Sequence, residues 1–308
     1  MARRALPPAA LAVATAVAAA LPPGDVVVGC SGGADSLALA LGAAWAARRA
    51  GTKVEAVVVD HGLQPGSADI AAGIVDLLST EGVPARVAAV EVTPGPDGLE
   101  AAARAARLAA LAEPGLPVLL GHTLDDQAES VLLGLLRGSG TRSLAGMAPV
   151  RGPFHRPLLG LRRADTEAAC RAWGVTWWDD PMNDDQAFAR VRARGALALL
   201  GERLGRDLAP ALARTALLAR ADADLLDGLA ASAAAPTADG ALAVADLEPL
   251  PDALRWRVLR AWLREAGCEP GFDGVLAVDA LLTAWHGQGP VCLAGGAVAR
   301  VGGELRLR

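Results

Sequence analysis

The sequence has no tyrosine, and Lys53 is the only lysine among its 308 residues. No G-K-[ST] phosphate loop exists anywhere in the chain, so a Walker A site is excluded. Composition leans toward alanine, glycine, leucine, proline and arginine. That lean reads as coding bias, so the number of arginines carries no meaning by itself. The four cysteines, Cys30, Cys170, Cys268 and Cys292, stand far apart and form no C-x-x-C pair. Neither a zinc site nor a disulfide framework is suggested, and a reducing cytoplasm fits. The formal net charge of −5 argues against a protein that coats nucleic acid generally, so positive clusters have to be read one at a time. No apolar run is long enough to span a bilayer. The N-terminal stretch ARRALPPAALAVATAVAAALPP imitates a secretory signal. Cleavage after Ala20 would leave the mature chain starting almost on a buried strand, and Pro7 and Pro8 suit the first turn of an ordinary helix, which is the expectation here.

Alternation is what the first half offers instead. Short β-branched runs (DVVVGC, KVEAVVVD, ARVAAVEV, PVLLGH) are each followed by an alanine-rich helical stretch, the second of them near 67–81. Four such units predict a parallel sheet with crossover helices. The unbroken VVV and VLL runs predict strands buried on both faces. From 151 to 200 the pattern loosens into loops rich in arginine, proline and tryptophan, with helices near 162–173 and 187–200. A long helix is expected over about 206–231, then a loop at ASAAAPTADG, a strand near 241–245, helices near 252–266 and 273–284, and short glycine-punctuated strands. The expected organisation is an α/β nucleotide-binding domain over 1–205 and a smaller, mainly helical domain over 206–308 that includes the long connecting helix.

Ligands of open parallel sheets bind beyond the carboxyl ends of the strands, where SGGADS follows the first strand. Gly32 and Gly33 let backbone N–H groups approach an anion, Ser31 and Ser36 carry hydroxyls, and a helix starting near Ser36 aims its positive end at the turn. A phosphate satisfies all of these. With no lysine to neutralise it, Asp35 makes sense as a Mg²⁺ ligand or a helix cap.

A second edge group lies at GHTLDDQAE. His122 closes the fourth strand, and Asp125, Asp126 and Glu129 open the next helix, with Asp125 and Glu129 on one face by their spacing. His61 closes the second strand in the same way, in DHGLQPGS. Arg190 and Arg194 share a helical face that excludes Arg192, and Arg104 and Arg107 repeat the arrangement in GLEAAARAARL. Arg137, Arg142, Arg151, Arg156, Arg162 and Arg163 form a basic stretch suited to polynucleotide phosphates. Trp173, Trp177 and Trp178 are candidates for stacking on a base, with core packing expected of at least two.

SGGxDS after a buried strand resembles the pyrophosphate loop of the PP-loop ATP pyrophosphatases, which cleave ATP between its α and β phosphates and adenylate a substrate. DHGLQPGS, GHTLDDQAESVLLGLLRGSGTRSLAGM and DDPMNDDQAFARVRAR resemble, in order, the motifs of one branch, the tRNA(Ile)-lysidine synthetases. Gln64 stands where that branch usually has arginine. The resemblance covers roughly residues 20–200, more loosely 206–285, and is to the shorter form without an extra C-terminal domain. It implies a Rossmann-like sheet and a ligation at the wobble cytidine of a CAU-anticodon tRNA(Ile). ATP adenylates the C2 oxygen, and the ε-amine of free L-lysine then displaces AMP, changing decoding from AUG to AUA. Implied ATP contacts are Ser31, Gly32, Gly33, Ala34, Asp35, Ser36, Asp60, His61, Arg104, Arg107 and Arg190, with Mg²⁺ shared by Asp35 and Asp126. Arg194 is the candidate for stabilising the leaving pyrophosphate, and His122, Asp125, Asp126 and Glu129 for orienting lysine and taking its proton. A cytoplasmic enzyme is expected, with a homodimer as its candidate assembly. The alternatives are a PP-loop tRNA thiolase, which would need cysteine pairs, and a non-catalytic nucleotide- or tRNA-binding module.

Overall fold

A computed structural model of the chain describes residues 6–93, 95, 98–138 and 140–308. It divides into two units, Met1–Leu136 with Gly146–Ala216, and Arg137–Ala145 with Leu217–Arg308. The division therefore falls inside the long helix, at 216/217 rather than 205/206, and the short segment 137–145 joins the second unit.

The first unit begins with helix α1 (Pro8–Ala19), strand β1 (Val26–Gly29) and helix α2 (Ala34–Ala50). The apolar N-terminal stretch is thus a helix, and its Val13 and Val17 are fully buried. They seat on Gly42 of α2, where a Cβ would lie 3.2 Å from Val17 Cγ2, so the small residue sets how closely the helices approach. Next come β2 (Val54–Asp60), α3 (Ser67–Thr80), β3 (Ala85–Ala89), α4 (Leu99–Ala112), β4 (Val118–Leu120) and α5 (Leu124–Leu136). A single turn, α6 (Thr141–Leu144), lies in the segment that belongs to the second unit. The chain then returns to the first with β5 (Val150–Arg151), β6 (Phe154–His155), α7 (Arg163–Trp173) and α8 (Ala189–Leu204).

The six strands form one sheet in the order β3-β2-β1-β4-β6-β5. All neighbours are parallel except β5 and β6. The antiparallel hairpin lies in the stretch expected to be loop, because two-residue strands are too short to show a period of two. Two-face burial holds for β1, where Val26, Val27 and Val28 are 1% exposed or less, and for β4. Each such valine contributes about 1.5–3 kcal/mol of burial. It fails for β3, an edge strand whose Val87 is 39% exposed. The chain passes from β1 outward through β2 to β3 and then returns to β4 on the other side of β1. That reversal is a topological switch point, and it opens a crevice at the carboxyl ends of β1 and β4.

Helix α9 (Ala209–Ala233) leads into the second unit, which adds β7 (Leu242–Ala243), α10 (Val244–Leu247), α11 (Asp252–Glu265), α12 (Phe272–Thr283), β8 (Val291–Leu293), β9 (Gly296–Val301) and β10 (Glu304–Leu307). Its four strands make an antiparallel sheet, β7-β10-β9-β8, and its own core is built on Leu247, Leu259, Leu263, Leu281 and Leu305. Inside that core Arg255 is ion-paired with Asp279 at 2.5 Å.

Candidate active site

The turn after β1 is shaped by glycine and braced by serine. Gly32 has φ +84°, and a Cβ there would lie 2.4 Å from Ile74 Cδ1. Only glycine fits both the left-handed backbone and the space. Helix α2 opens at Ala34, earlier than the sequence suggests, with Gly33 extended at its N-cap. The Ser36 hydroxyl accepts from Ser31 N at 3.1 Å and donates to Gly33 O at 2.9 Å. Ser36 therefore holds the turn together from inside, while Ser31, Gly33 and Ala34 line the crevice. Trp178 N donates to Gly32 O at 3.0 Å, which lays the loop after α7 against the turn. Trp173 and Trp177 pack against the core, and Trp177 and Trp178 also border the crevice.

Strand β4 delivers the acidic edge beside it. At Gly121 a Cβ would sit 3.1 Å from the Asp35 backbone, so the exit of β4 crosses directly over the start of α2. Asp126 Oδ2 accepts from Thr123 N at 2.7 Å and from Thr123 Oγ1 at 3.0 Å. Arg163, the first residue of α7, spans both elements, its Nε 3.2 Å from Asp35 Oδ2 and its Nη2 3.2 Å from Asp126 Oδ1. The Thr166 hydroxyl donates to the other oxygen of Asp35. Burial pushes the Asp35 carboxyl up and Asp126 adds to this, against the pull of Thr166 and Arg163.

Glu129, only 1% exposed, accepts from Arg194 Nε at 2.8 Å through Oε1, and its Oε2 has no partner among the described residues. Burial, reinforced by Asp126, raises its carboxyl above the ordinary range, although Arg194 opposes the shift.

Asp125 does not join this group, which corrects the expectation drawn from its spacing with Glu129. Its carboxylate takes Arg162 Nε at 3.0 Å, Arg162 Nη2 at 2.7 Å and Arg163 N at 2.8 Å. Burial works against its ionised form, but these contacts hold the carboxyl below the usual range. Asp125 anchors the start of α7; Asp126 and Glu129 are the pair that face the crevice.

Arginines and two imidazoles line the same space. His61 at the end of β2, Arg104 and Arg107 on α4, His122 at the end of β4, and Arg190 and Arg194 on α8 all line one cavity of about 910 Å³ together with Asp60. That volume suits a nucleotide-sized ligand. Burial, with Arg190, Arg156 and Arg104 adding to it against Asp126, depresses the His122 imidazole to about 3. Burial and Arg107 lower His61, and burial with Arg104 and Arg190 brings Arg107 to about 10. His61 Nδ1, His122 Nδ1 and Arg107 Nε are buried without a hydrogen-bond partner among the described residues. Such groups are costly unless a ligand completes them. Asp60 Oδ1 accepts from Gly62 N at 3.0 Å, and Gln64, at the usual arginine position, donates to Asp180 at 3.3 Å.

Several arginines of the basic stretch expected from 137 to 163 already have partners. Arg162 and Arg163 are spent on Asp125, Asp35 and Asp126, Arg142 pairs with Asp224 and Asp227 within the second unit, and Arg156 donates to Ala148 O. Reading charges along the sequence could not reveal acidic partners brought in from elsewhere. The same applies to Arg163 and Thr166 as partners of Asp35, which no local pattern signals. The side chains of Glu100, Asn183 and Asp184, within the quoted motifs, lie outside the described residues.

The donor chemistry also fits a divalent cation. Asp35 and Asp126 offer hard carboxylate oxygens on adjoining elements and already share one cation, the Arg163 guanidinium. Mg²⁺ is commonly held by one or two carboxylates completed by substrate phosphates and water. No cluster of three or more His, Cys, Asp or Glu suited to a metal occurs among the described residues.

A glycine-built phosphate turn and an acidic edge at the switch point of a parallel sheet define an ATP-using enzyme of the PP-loop class. A PP-loop domain model matches residues 10–199, and a TilS substrate binding domain model matches residues 242–306. The chain is 52% identical over 296 residues to the tRNA(Ile)-lysidine synthase of Nocardia farcinica, covering 92% of this chain and 91% of that protein. It is 50% identical to the one from Leifsonia xyli subsp. xyli, covering 92% and 90%. The chain belongs to the tRNA(Ile)-lysidine synthase family. Among solved structures, the U34-tRNA thiolase NcsA from Methanococcus maripaludis with its [4Fe-4S] cluster shares the fold, with a TM-score of 0.54 at 17% identity, covering 68% of this chain and 77% of that one.

Proposed function

We propose that the chain joins free L-lysine to C2 of the wobble cytidine in tRNA(Ile) with a CAU anticodon, through an adenylated cytidine. The observation that carries the reading is the meeting of the SGGADS turn with Asp126, Glu129 and His122 around a single cavity. The O2 oxygen of cytidine would displace pyrophosphate at the α-phosphorus of ATP. The ε-amine of lysine would then add at C2, and the adenylated oxygen would leave as AMP.

Backbone N–H groups of Gly33 and Ala34 at the N-terminus of α2 are suited to holding the phosphates. Arg104, Arg107, Arg190 and Arg194 offer positive charge where the pyrophosphate leaves. Asp35 and Asp126 would hold Mg²⁺, which supplies charge neutralisation on the phosphates when bound. Glu129 is suited to receive the lysine ammonium and take its proton, because a buried, half-satisfied carboxylate is a better base than an exposed one. His122, depressed to about 3, is neutral in this surrounding and suits a hydrogen-bonding role rather than that of a charged partner. Asp60 and His61 border the same cavity and are assigned to the nucleotide.

The reading places the enzyme in the cytoplasm, where tRNA, ATP and free lysine meet; no helix among the described residues is long and apolar enough to cross a membrane. A homodimer is part of the proposal, supported by Leu218, Leu225 and Leu229, which recur along one face of α9 and stay 62%, 63% and 48% exposed. Light scattering giving the mass of a single 31.2 kDa chain would remove that part.

The test of function is incubation of purified protein with a CAU-anticodon tRNA(Ile) transcript, Mg-ATP and labelled lysine. Label should enter the tRNA only when ATP and lysine are both present. No incorporation by folded protein into intact transcript refutes the reading.

A further inference from the structure

We propose that Arg163 is a built-in counter-ion that occupies the Asp35–Asp126 pair until a nucleotide arrives, so that divalent metal enters this site only together with phosphate. The inference rests on the assignment of those two carboxylates to the metal.

Three observations lead to it. Arg163 meets one oxygen of each carboxylate at 3.2 Å, so its guanidinium lies where a shared metal would have to sit. The remaining oxygens are also taken, Asp35 Oδ1 by the Thr166 hydroxyl and Asp126 Oδ2 by the Thr123 N–H and hydroxyl. Each carboxylate oxygen of the pair already accepts at least one hydrogen bond, and the space between the two carboxylates is filled while Arg163 stays in place. Finally, Arg163 is held from behind: its backbone N–H donates to Asp125 at 2.8 Å, and its neighbour Arg162 grips the same carboxylate. The backbone of α7 is thereby anchored by contacts that do not depend on the Arg163 side chain.

Removing the guanidinium that bridges the carboxylate pair leaves two like charges side by side, which favours capture of another cation. A bound nucleotide changes the balance by bringing phosphate oxygens to complete a metal's coordination and giving the displaced guanidinium an anion to meet. Arg163 thus acts through the two carboxylates, as a positioning residue that makes metal entry depend on nucleotide entry.

The experiment is a Mn²⁺ titration of the full chain by electron paramagnetic resonance, without nucleotide and with α,β-methylene ATP. Wild-type protein should bind Mn²⁺ weakly alone and well with the analogue. Arg163→Gln should bind Mn²⁺ alone on the order of tenfold more tightly than wild type, from the loss of one neighbouring positive charge. Adding Asp35→Asn to that variant should abolish the gain, which a merely structural role for Arg163 would not do. Arg163→Lys, whose single ammonium cannot span both carboxylates, should show the same gain in smaller measure and serves if the glutamine variant does not fold. No gain in either variant overturns the proposal while leaving the metal assignment standing, provided wild type binds Mn²⁺ with the analogue. If wild type binds no Mn²⁺ with the analogue, or Asp35→Asn leaves that binding unchanged, the metal assignment itself fails.

Discussion

Replacing Asp125 with alanine separates the role suggested by its motif from the one its contacts define. Its carboxylate receives Arg162 through two nitrogens and the backbone N–H of Arg163, at 2.7–3.0 Å. Hydrogen bonds to a charged group contribute about 1.5–3 kcal/mol each when well shielded. Here the Asp125 and Arg162 side chains are 24% and 35% exposed, which discounts the ionic part. Arg162 also keeps Asp207 as a partner after the change. A net loss of about 2–3 kcal/mol is expected, on the order of 5–10 °C in Tm for a unit of this size. Thermal unfolding followed by circular dichroism checks it, alongside AMP formation measured well below the transition. Asp125→Ala should melt early and keep most of its turnover in the cold, whereas Asp126→Asn should melt near wild type and lose turnover. An Asp125→Ala protein that melts like wild type and forms no AMP would show that the carboxylate works in the chemistry and that the contact argument is wrong.

Gly32→Ala should cost about 1–2 kcal/mol for its left-handed backbone and a further ~1–3 kcal/mol for the clash with Ile74. In the Gly32→Ala/Ile74→Ala double variant part of that loss should return, so strictly additive stabilities in denaturant melts would contradict the 2.4 Å approach. His122 titrates at about 3 in the fold against about 6.5 unfolded. The unfolded chain takes up that proton first, so stability is unaffected above the unfolded value and declines as pH falls from 6.5 toward 3. His122→Gln should flatten this slope by on the order of 1 kcal/mol per pH unit, and an unchanged slope counts against burial of the ring. Asp279→Ala, which leaves the Arg255 guanidinium at 5% exposure without its main partner, should cost about 3–5 kcal/mol. Arg255→Met/Asp279→Leu should recover much of this in calorimetry of the full chain, and a double variant no better than the single one would contradict the account.

The sequence was sufficient wherever the relevant physics is local. Valine runs buried on two faces, crossover helices, the glycines of SGGADS and the clustering of His122, Asp126 and Glu129 all follow from neighbours in the chain, and ordered motifs identified the family. Where interactions are set by distant segments it fell short. Residues Asp125 and Asp126 are adjacent in sequence and equally acidic, and nothing local says that one anchors α7 while the other faces the crevice. Arginines 142, 162 and 163 read as a basic surface because their acidic partners come from α9, α2 and α5. The hairpin β5–β6 escaped because its strands are too short for a period to register. Chemistry and fold class were thus determined by the chain's own local order. The pairing of Asp35 with Asp126, and of both with Arg163, was decided by the reversal that sets β4 beside β1, since only a folded sheet brings those segments within the few ångströms over which charges and hydrogen bonds act.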